Sequence, residues 1–426
     1  MTETILLAQK IELDCNNRER TYFARACGCA RKAYNWGLDH WQEEYRLYRE
    51  AKKIDPNQTQ IECPNQFKLR RELNAIKPKE FPYMLEVTKC APQSAIIDLG
   101  KAFDNFFRDP KNFHYPKFRK KYVDDQFRIS NDQFQIDASR IRIPKLGWVR
   151  MRETLRFKDA KVLSATISRK ADRWFVSIQC ELPNLEHLKK ADNQGVCGVD
   201  LGITTLATLS NGLTFEGPKA YEKNLKKLRR LQRSLARRKI GSANRTKKLL
   251  EIQKFYVRMT NIRHDCLHKL TSYLTSHFET IVIEDLNVKG MMKNRRLSRR
   301  IADMGFYEFR RQLEYKARLR GNEVIVADRF YPSSKTCRFC GLKNEGLTLG
   351  ERHWTCPHCE AVIENRDLNA AINLKNLAAS CAVSACGETG SGRRSNLSVK
   401  PGSKSSDGVY PSEKEAGRKH QMSRSD

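Results

Sequence analysis

Four cysteines carry the clearest chemistry in the chain. In "KTCRFCGLKNEGLTLGERHWTCPHC", Cys337 and Cys340 form one Cys-x-x-Cys pair and Cys356 and Cys359 another, with fifteen residues between them. Two such knuckles close a tetrahedral four-thiolate zinc site. Four protein ligands leave no open position for water, so this zinc is structural, and its binding would supply roughly 10 to 16 kcal/mol toward ordering the segment. His353 and His358 lie close by but are not needed as ligands. A second group consists of acids: Asp200 in "GVDLG", Glu284 in "VIEDL" and Asp367 in "NRDLNAA", each at or near an apolar strand or on a helix. An acid in such a place needs a partner, commonly a metal. Three carboxylates from separate elements can hold two Mg2+ ions about 4 Å apart, one activating water and one stabilising the leaving oxygen of a phosphodiester. Because 49 acidic residues offer many triples, an Asp that merely caps its strand remains the alternative.

The elements that must position these residues come from hydrophobic periodicity. "ETILLAQKIE" alternates as a strand. From "YFARACGCARKAYNWGLDHWQEEYRLYREAKK" through "APQSAIIDLGKAFDNFFRD" the spacing is helical, with Ile96, Leu99, Phe103, Phe106 and Phe107 forming one core-facing stripe. After Phe113 short alternating segments broken by turn residues suggest a small β-barrel. There Lys117, Phe118 and Arg119 could stack bases and contact phosphates, or could line a solvated strand edge. After the polar linker "NLEHLKKADNQG", a mixed α/β domain opens at "VCGVDLGITTLATLSNGLTFEG", where Ser210, Asn211 and Gly212 read as a hairpin turn. Lys223 to Arg263 reads as a helical hairpin broken at Gly241 and Ser242. Its polar faces carry Lys226, Arg229, Arg230, Arg233, Arg237 and Arg238, scarcely diluted by acids, which points to a polyanion lying against it. "FETIVIEDLNV" and "NEVIVADRF" read as buried strands of an α/β sheet. Residues 379–426 are rich in Ser, Gly and charge and are expected to form a disordered tail.

Bulk properties set the class. The 80 Lys and Arg against 49 Asp and Glu give a formal charge of +31, so the surface is suited to nucleic acid. With 39% hydrophobic residues, a chain of 426 can bury cores in two or three domains. No run of about 18 apolar residues and no basic start leading into an apolar stretch is present. The chain is therefore expected to avoid membranes and to be cytoplasmic, nucleoid-associated when bound to DNA. The ten further cysteines lack framework spacing and read as mostly buried, reduced thiols.

The motifs "GVDLGITTLATLSNG", "IVIEDLNVKGMMKNRRLSRRIADMGFYEFRRQLEYKA", "YPSSKTCRFCG", "WTCPHC" and "NRDLNAAINL", in that order, resemble the TnpB family of transposon-encoded RNA-guided DNA endonucleases, relatives of the type V CRISPR effectors. "CARKAYNWGL", "YPKFRKK" and "IPKLGWV" extend the resemblance over residues 5 to about 378. It implies a multidomain α+β protein. Its RNase H-like (RuvC) α/β nuclease domain would occupy 191–330 and 361–378, with the zinc ribbon inserted at 331–360. A wedge β-barrel at 1–20 and 112–190 would be interrupted by a helical recognition region at 21–111.

The resemblance also implies Asp200, Glu284 and Asp367 as ligands of two Mg2+ ions, or Mn2+ in their place, and as the acids of DNA hydrolysis. The partners it implies are a guide RNA from the transposon end and double-stranded target DNA beside a short flanking motif, bound by a monomer within the ribonucleoprotein. Tyr34, Asn35, Trp36, Lys117, Phe118 and Arg119 are candidates for reading that motif, with core packing as the alternative, especially for Trp36. Arg366 could clamp the scissile phosphate or serve as a simple counter-ion. Two departures stand out: Asn365 replaces a frequent Asp, and "DCNNRERTY" (14–22) replaces a proline-containing turn. A nuclease-silent RNA-guided repressor, or a transposase using the same acids for strand transfer, are the competing readings.

Overall fold

The computed structural model describes residues 4–57, 60–123, 125–157, 160–182, 195–348 and 350–386, with side-chain surroundings described as far as 378. The linker expected at 184–195 and the tail expected beyond 386 lie outside the described residues, save for Gly195. The helix that carries Asp367 is described as far as Cys386.

The first layer is a seven-stranded antiparallel sheet in the order β2-β6-β7-β1-β5-β4-β3. It is built from β1 (Ile5–Asp14), β2 (Gln126–Ser130), β3 (Gln135–Asp137), β4 (Arg140–Ile143), β5 (Gly147–Met151), β6 (Lys161–Lys170) and β7 (Arg173–Leu182). Strands alternate between buried and partly exposed positions, as in β7, so one face closes on a core. The ladder does not close into the expected barrel by hydrogen bonds. Its edge strands β2 and β3 are instead consecutive in the chain, joined by the short turn Asn131–Gln133, which curls the sheet back on itself.

Between β1 and β2 come α1 (Asn17–Ile54), α2 (Gln66–Glu80) and α3 (Cys90–Arg108). Helix α1 starts where the sequence departs from the family pattern. The Asn16 side chain accepts from Glu19 N and the Glu19 carboxylate accepts from Asn16 N, a reciprocal cap that replaces a proline turn. Of the expected apolar stripe, Ile96, Leu99 and Phe103 are buried against α1, whereas Phe107 is exposed.

The second sheet has the order β10-β9-β8-β11-β12: β8 (Val196–Leu201), β9 (Thr205–Leu209), β10 (Thr214–Glu216), β11 (Thr280–Glu284) and β12 (Glu323–Ala327). The β9–β10 turn is the expected hairpin, with Gly212 at φ +88°. Strands β8, β11 and β12 run parallel. Between β10 and β11 lies the helical hairpin of α4 (Ala220–Ala236) and α5 (Ala243–His277), turned at Gly241 (φ +82°) and capped by Ser242. Next come α6 (Val288–Met291), α7 (Ser298–Met304) and α8 (Phe306–Arg320), and after β12 the short pair β13 (Trp354–Thr355) and β14 (Val362–Ile363), then α9 (Arg366–Cys386). Val199, Ile281 and Ile283 pack on α5 and α8, while Val282 packs on Leu374 and Ala378 of α9. The sheet is therefore covered on both faces, which is why its strands read as near-continuous apolar runs.

Candidate active site and metal centre

Parallel pairing brings the first two acids together. Gly198 is in register with Val282 and Val199 with Ile283, so one step further Asp200 stands beside Glu284 on the neighbouring strand. In-register residues of parallel strands point to the same face, about 4.8 Å apart. That face is the one under α9. A Cβ on Gly198 would lie 2.0 Å from the Ala371 carbonyl oxygen and 2.6 Å from Lys375 N, so the helix backbone rests directly on this glycine. Asp200 lies two residues along the strand from Gly198, and Asp367 one helical turn back from Ala371. The crossing therefore swings Asp367 over Asp200 and Glu284.

Electrostatics agree with this placement. Asp200 is only 9% exposed. Burial, then the nearby charges of Glu284 and Asp367, push its carboxyl well above the usual range, against the pull of Arg366 and Arg352. Burial also raises Glu284, opposed by the Ser333 hydroxyl, which donates to Glu284 Oε1. Neighbouring Asp285 plays a different part: Arg310 and Arg329 pair with its two oxygens at 2.9 and 2.5 Å. The carboxylate of Asp367 is engaged by Arg352 Nη1, at 2.5 and 2.7 Å from its two oxygens. Asn365, the departure from the family pattern, caps α9 by accepting from Asp367 N and Leu368 N. A buried carboxylate, a half-buried one and a third held by a cation form a donor set suited to a hard metal ion.

The four cysteines meet as their spacing predicts. Among the described residues they are the one group of three or more His, Cys, Asp or Glu side chains whose donor atoms all lie within 4.8 Å of one another. The Cys337–Cys359 and Cys340–Cys356 sulfurs are 3.7 and 3.6 Å apart. A tetrahedron with Zn–S of about 2.3 Å has edges of about 3.8 Å, so the quartet fits zinc and is too wide for disulfides. Each knuckle turns through a left-handed residue just after its second cysteine, Gly341 (φ +74°) and Glu360 (φ +58°). Most of the other described cysteines are buried and all are free thiols, as expected; Cys63 is exposed.

The ribbon is tied to α9 by groups that the sequence reading missed. Asn369 and Asn373 are buried and donate to the backbone carbonyls of Thr336 and of Ser333 and Thr336 respectively. At the other end, Arg366 N donates to the Arg352 carbonyl, and the Arg366 guanidinium reaches the Glu351 carbonyl at 3.2 Å. Arg366 thus serves the ribbon more than an open phosphate position. Polar residues four apart in the apolar run "NRDLNAAINL", and a glycine inside the strand "VCGVDL", were the available signals for Asn369, Asn373 and Gly198. Ser333 and Arg352 had none.

The other candidates separate by exposure. Tyr34 and Trp36 are buried; the Arg119 guanidinium stacks 3.8 Å from the Tyr34 ring and Trp36 stacks on His40. Asn35 exchanges two hydrogen bonds with the backbone of Arg119. Tyr34, Asn35 and Arg119 therefore hold the 113–123 segment, which contains no strand, onto α1, where Trp36 packs within the helix, while Lys117 and Phe118 face solvent. On the hairpin, Lys226, Arg229, Arg230, Arg233 and Arg237 are exposed, whereas Arg238 braces the turn through the Asn244 carbonyl. No described helix is long and apolar enough to cross a membrane.

Residues 177–295 match the OrfB_IS605 family, described as "Probable transposase", and residues 306–374 match "Cas12f1-like, TNB domain". Residues 1–50 match a family described as "Helix-turn-helix domain", although here that segment is one strand and one long helix. A Streptomyces pristinaespiralis protein described as "Putative RNA-guided DNA endonuclease" is 34% identical over 91% of this chain and 92% of its own length. InsQ of Escherichia coli, described in the same words, is 37% identical over 70% of this chain and 75% of its own. The solved Cas12f1-sgRNA-target DNA complex shares the mixed α/β multidomain fold at a TM-score of 0.51 and 14% identity, covering 88% of this chain and 99% of that one. By the identity and coverage of these relatives, the chain belongs to the TnpB family.

Proposed function

We propose that the protein is a transposon-encoded RNA-guided DNA endonuclease in which Asp200, Glu284 and Asp367 form an RNase H-like (RuvC) centre for phosphodiester hydrolysis. The observation that carries this reading is the convergence on one sheet face of three acids from β8, β11 and α9, with Asp200 buried and its carboxyl raised by the other two. Such a cluster is costly for folding alone and is what a metal-dependent active site requires. On this reading residues 191–330 and 361–378 form the nuclease domain and 331–360 the ribbon. Residues 1–20 and 112–190 form the wedge, and 21–111 the recognition region.

Asp200 and Glu284 would bind Mg2+, or Mn2+ in its place, through oxygens sheltered from bulk water. Ser333 donates to Glu284 Oε1 and would orient this carboxylate toward the cation. Asp367 would exchange Arg352 for the metal, since both compete for the same oxygens. When bound there, the ions supply an activated water and charge stabilisation at the leaving oxygen. Cys337, Cys340, Cys356 and Cys359 would hold one structural zinc. The exposed arginines of α4 would take the guide RNA or heteroduplex backbone. Strand exchange is nearly neutral in energy and needs such contacts to tip it. A monomer per ribonucleoprotein is proposed.

The test is cleavage of a plasmid library, carrying a guide-matched target beside randomised flanking bases, by protein copurified with its locus RNA. Cutting of one flank subset, dependent on Mg2+ and lost in Asp200→Ala, is the expected result. Intact plasmid despite tight guide-dependent binding would overturn the nuclease reading in favour of a repressor.

A further inference from the structure

Two Arg-Phe dipeptides bracket the loop that joins β12 to the ribbon: Arg329-Phe330 and Arg338-Phe339 in "DRFYPSSKTCRFCG". Both rings are pushed into solvent, Phe330 87% exposed and Phe339 61%. A single exposed ring is ordinary. Here each sits at the tip of a fixed turn, beside a guanidinium and close to the acids.

Phe330 is placed by the loop 328–333, both ends of which reach Glu284. Ala327, just before the loop, is in register with Glu284 across the β11–β12 pair, and Ser333, at its end, donates to the Glu284 carboxylate. Phe330 is three residues from each, so its backbone lies within about 10 Å of both anchors. The turn is rigid: Asp328 Oδ1 accepts from Phe330 N at 2.8 Å, and its carbonyl accepts from Tyr331 N at 3.0 Å. The Arg329 guanidinium beside it is fixed by Asp285. Phe339 lies inside the first zinc knuckle, whose ends are tied by Cys337 N to the Leu342 carbonyl and Gly341 N to the Cys337 carbonyl. The Arg338 guanidinium stands 4.7 Å from the Phe339 ring, and Arg338 N donates to Asn369, two residues beyond Asp367.

We propose that Phe330 and Phe339, each with its preceding arginine, form a stacking platform for unpaired bases of the DNA strand led to the three carboxylates. The inference rests on the nuclease reading and adds a binding subsite to it. Every base offers a π face, so rings interleaved with cations hold single strands without regard to sequence, as a guided nuclease requires at its cutting site. Because the turns already fix the backbone, stacking costs only the ordering of two side-chain torsions per ring. The flanking guanidinium groups meet the adjacent phosphates.

The experiment uses the full-length protein with its locus RNA. A single-stranded oligodeoxynucleotide carrying 2-aminopurine is added in Ca2+, so that binding is read without turnover. Phe330→Ala and Phe339→Ala are each expected to weaken binding about tenfold, within the range for loss of one base stack, and to reduce the quenching of 2-aminopurine. The salt slope should be unchanged, since no charge is lost. Phe330→Trp should restore both readouts. Affinity and quenching within about twofold of wild type in the double alanine variant would overturn the proposal, as would a loss that Phe330→Trp fails to restore. Asp200→Ala separates the two readings: it should keep the quenching and lose cleavage. Wild-type protein that quenches the probe yet never cuts a guided target would sink the nuclease and leave the platform standing; cutting without quenching would do the reverse.

Discussion

Gly198→Ala is the smallest change that tests how the third acid is placed. The new methyl would start 2.0 Å from the Ala371 carbonyl oxygen and 2.6 Å from Lys375 N, both backbone atoms that cannot rotate away. Ordinary contact begins at 3.4 Å, so α9 would have to lift by about 1.4 Å or the strand would have to sink by as much. Overpacking of this kind costs roughly 1 to 3 kcal/mol. The larger effect is on chemistry. Asp367 rides one turn from the point of contact, and a displacement of about 1 Å in a catalytic group costs roughly 100-fold in rate. Single-turnover cleavage of a guided target, beside thermal unfolding and zinc content, separates the two effects. The expected outcome is retained zinc, a modest drop in melting temperature and a rate about two orders of magnitude lower. A variant that cuts at the wild-type rate would refute the argument that Gly198 sets the depth of α9 and thereby the position of Asp367.

Asp200→Asn is expected to abolish cleavage yet stabilise the protein when divalent metal is withheld. The folded carboxyl is held well above 3.8 by burial and by Glu284 and Asp367, so the native state keeps a proton that the unfolded chain has released. Wild-type stability should therefore fall as pH rises from about 4 through the raised value. The amide should flatten that fall and add up to about 3 kcal/mol near neutrality, the scale of two carboxylates about 5 Å apart at an effective dielectric of about 20. Thermal melts across pH decide, and a variant less stable than wild type at neutral pH refutes it. Cys356→Ser should lose zinc by metal analysis and lose cleavage with it, because Arg352 and the ribbon carbonyls that hold α9 would no longer be fixed; full cleavage by zinc-free protein would count against this. Changing Arg229, Arg230, Arg233 and Arg237 together to Glu should weaken guide RNA binding for all sequences and flatten its salt dependence, by about 0.7 to 0.9 for each phosphate that is no longer neutralised. An unaltered slope in filter binding would remove the hairpin from the interface.

What the sequence disclosed follows the range of the forces involved. The zinc knuckles, the Ser210–Gly212 hairpin turn and the Gly241–Ser242 break between α4 and α5 are local patterns and stand where their spacing put them. The apolar strands around Asp200 and Glu284 were legible because burial on both faces makes their runs nearly continuous. Legibility failed where a side chain serves a neighbour distant in sequence. Tyr34 and Arg119 read either as groups for nucleic acid or as core packing, and they stack on each other between α1 and the segment after α3. Arg366 read either as a phosphate clamp or as a counter-ion, and its reach to ribbon carbonyls had no signal in the sequence.

The placing of the zinc ribbon just before Asp367 has a geometric reason. Two of the three acids come from neighbouring strands, and backbone pairing fixes their relative position with no further device. The third arrives on a helix, which can slide along and roll upon the sheet, and each motion would carry Asp367 away. Gly198 limits the approach of α9, since contact there is between backbones. Sliding and rolling are stopped by the ribbon: Asn369 and Asn373 grip its entry, while Arg366 N and the Asp367 carboxylate grip Arg352 near its exit. These grips hold only if the segment between them is itself rigid, and its own apolar core is small, with Leu347, Trp354 and Ile363 beside the buried cysteines. A bound zinc is the simplest way to stiffen so few residues. Zinc loss should therefore act on cleavage through the position of Asp367 and leave the Asp200–Glu284 pair in register. The fall of stability with rising pH should be smaller in the zinc-free protein than in the zinc-bound one, because Asp367 no longer repels Asp200. An equal or steeper fall would show that the ribbon does not hold the third acid in place.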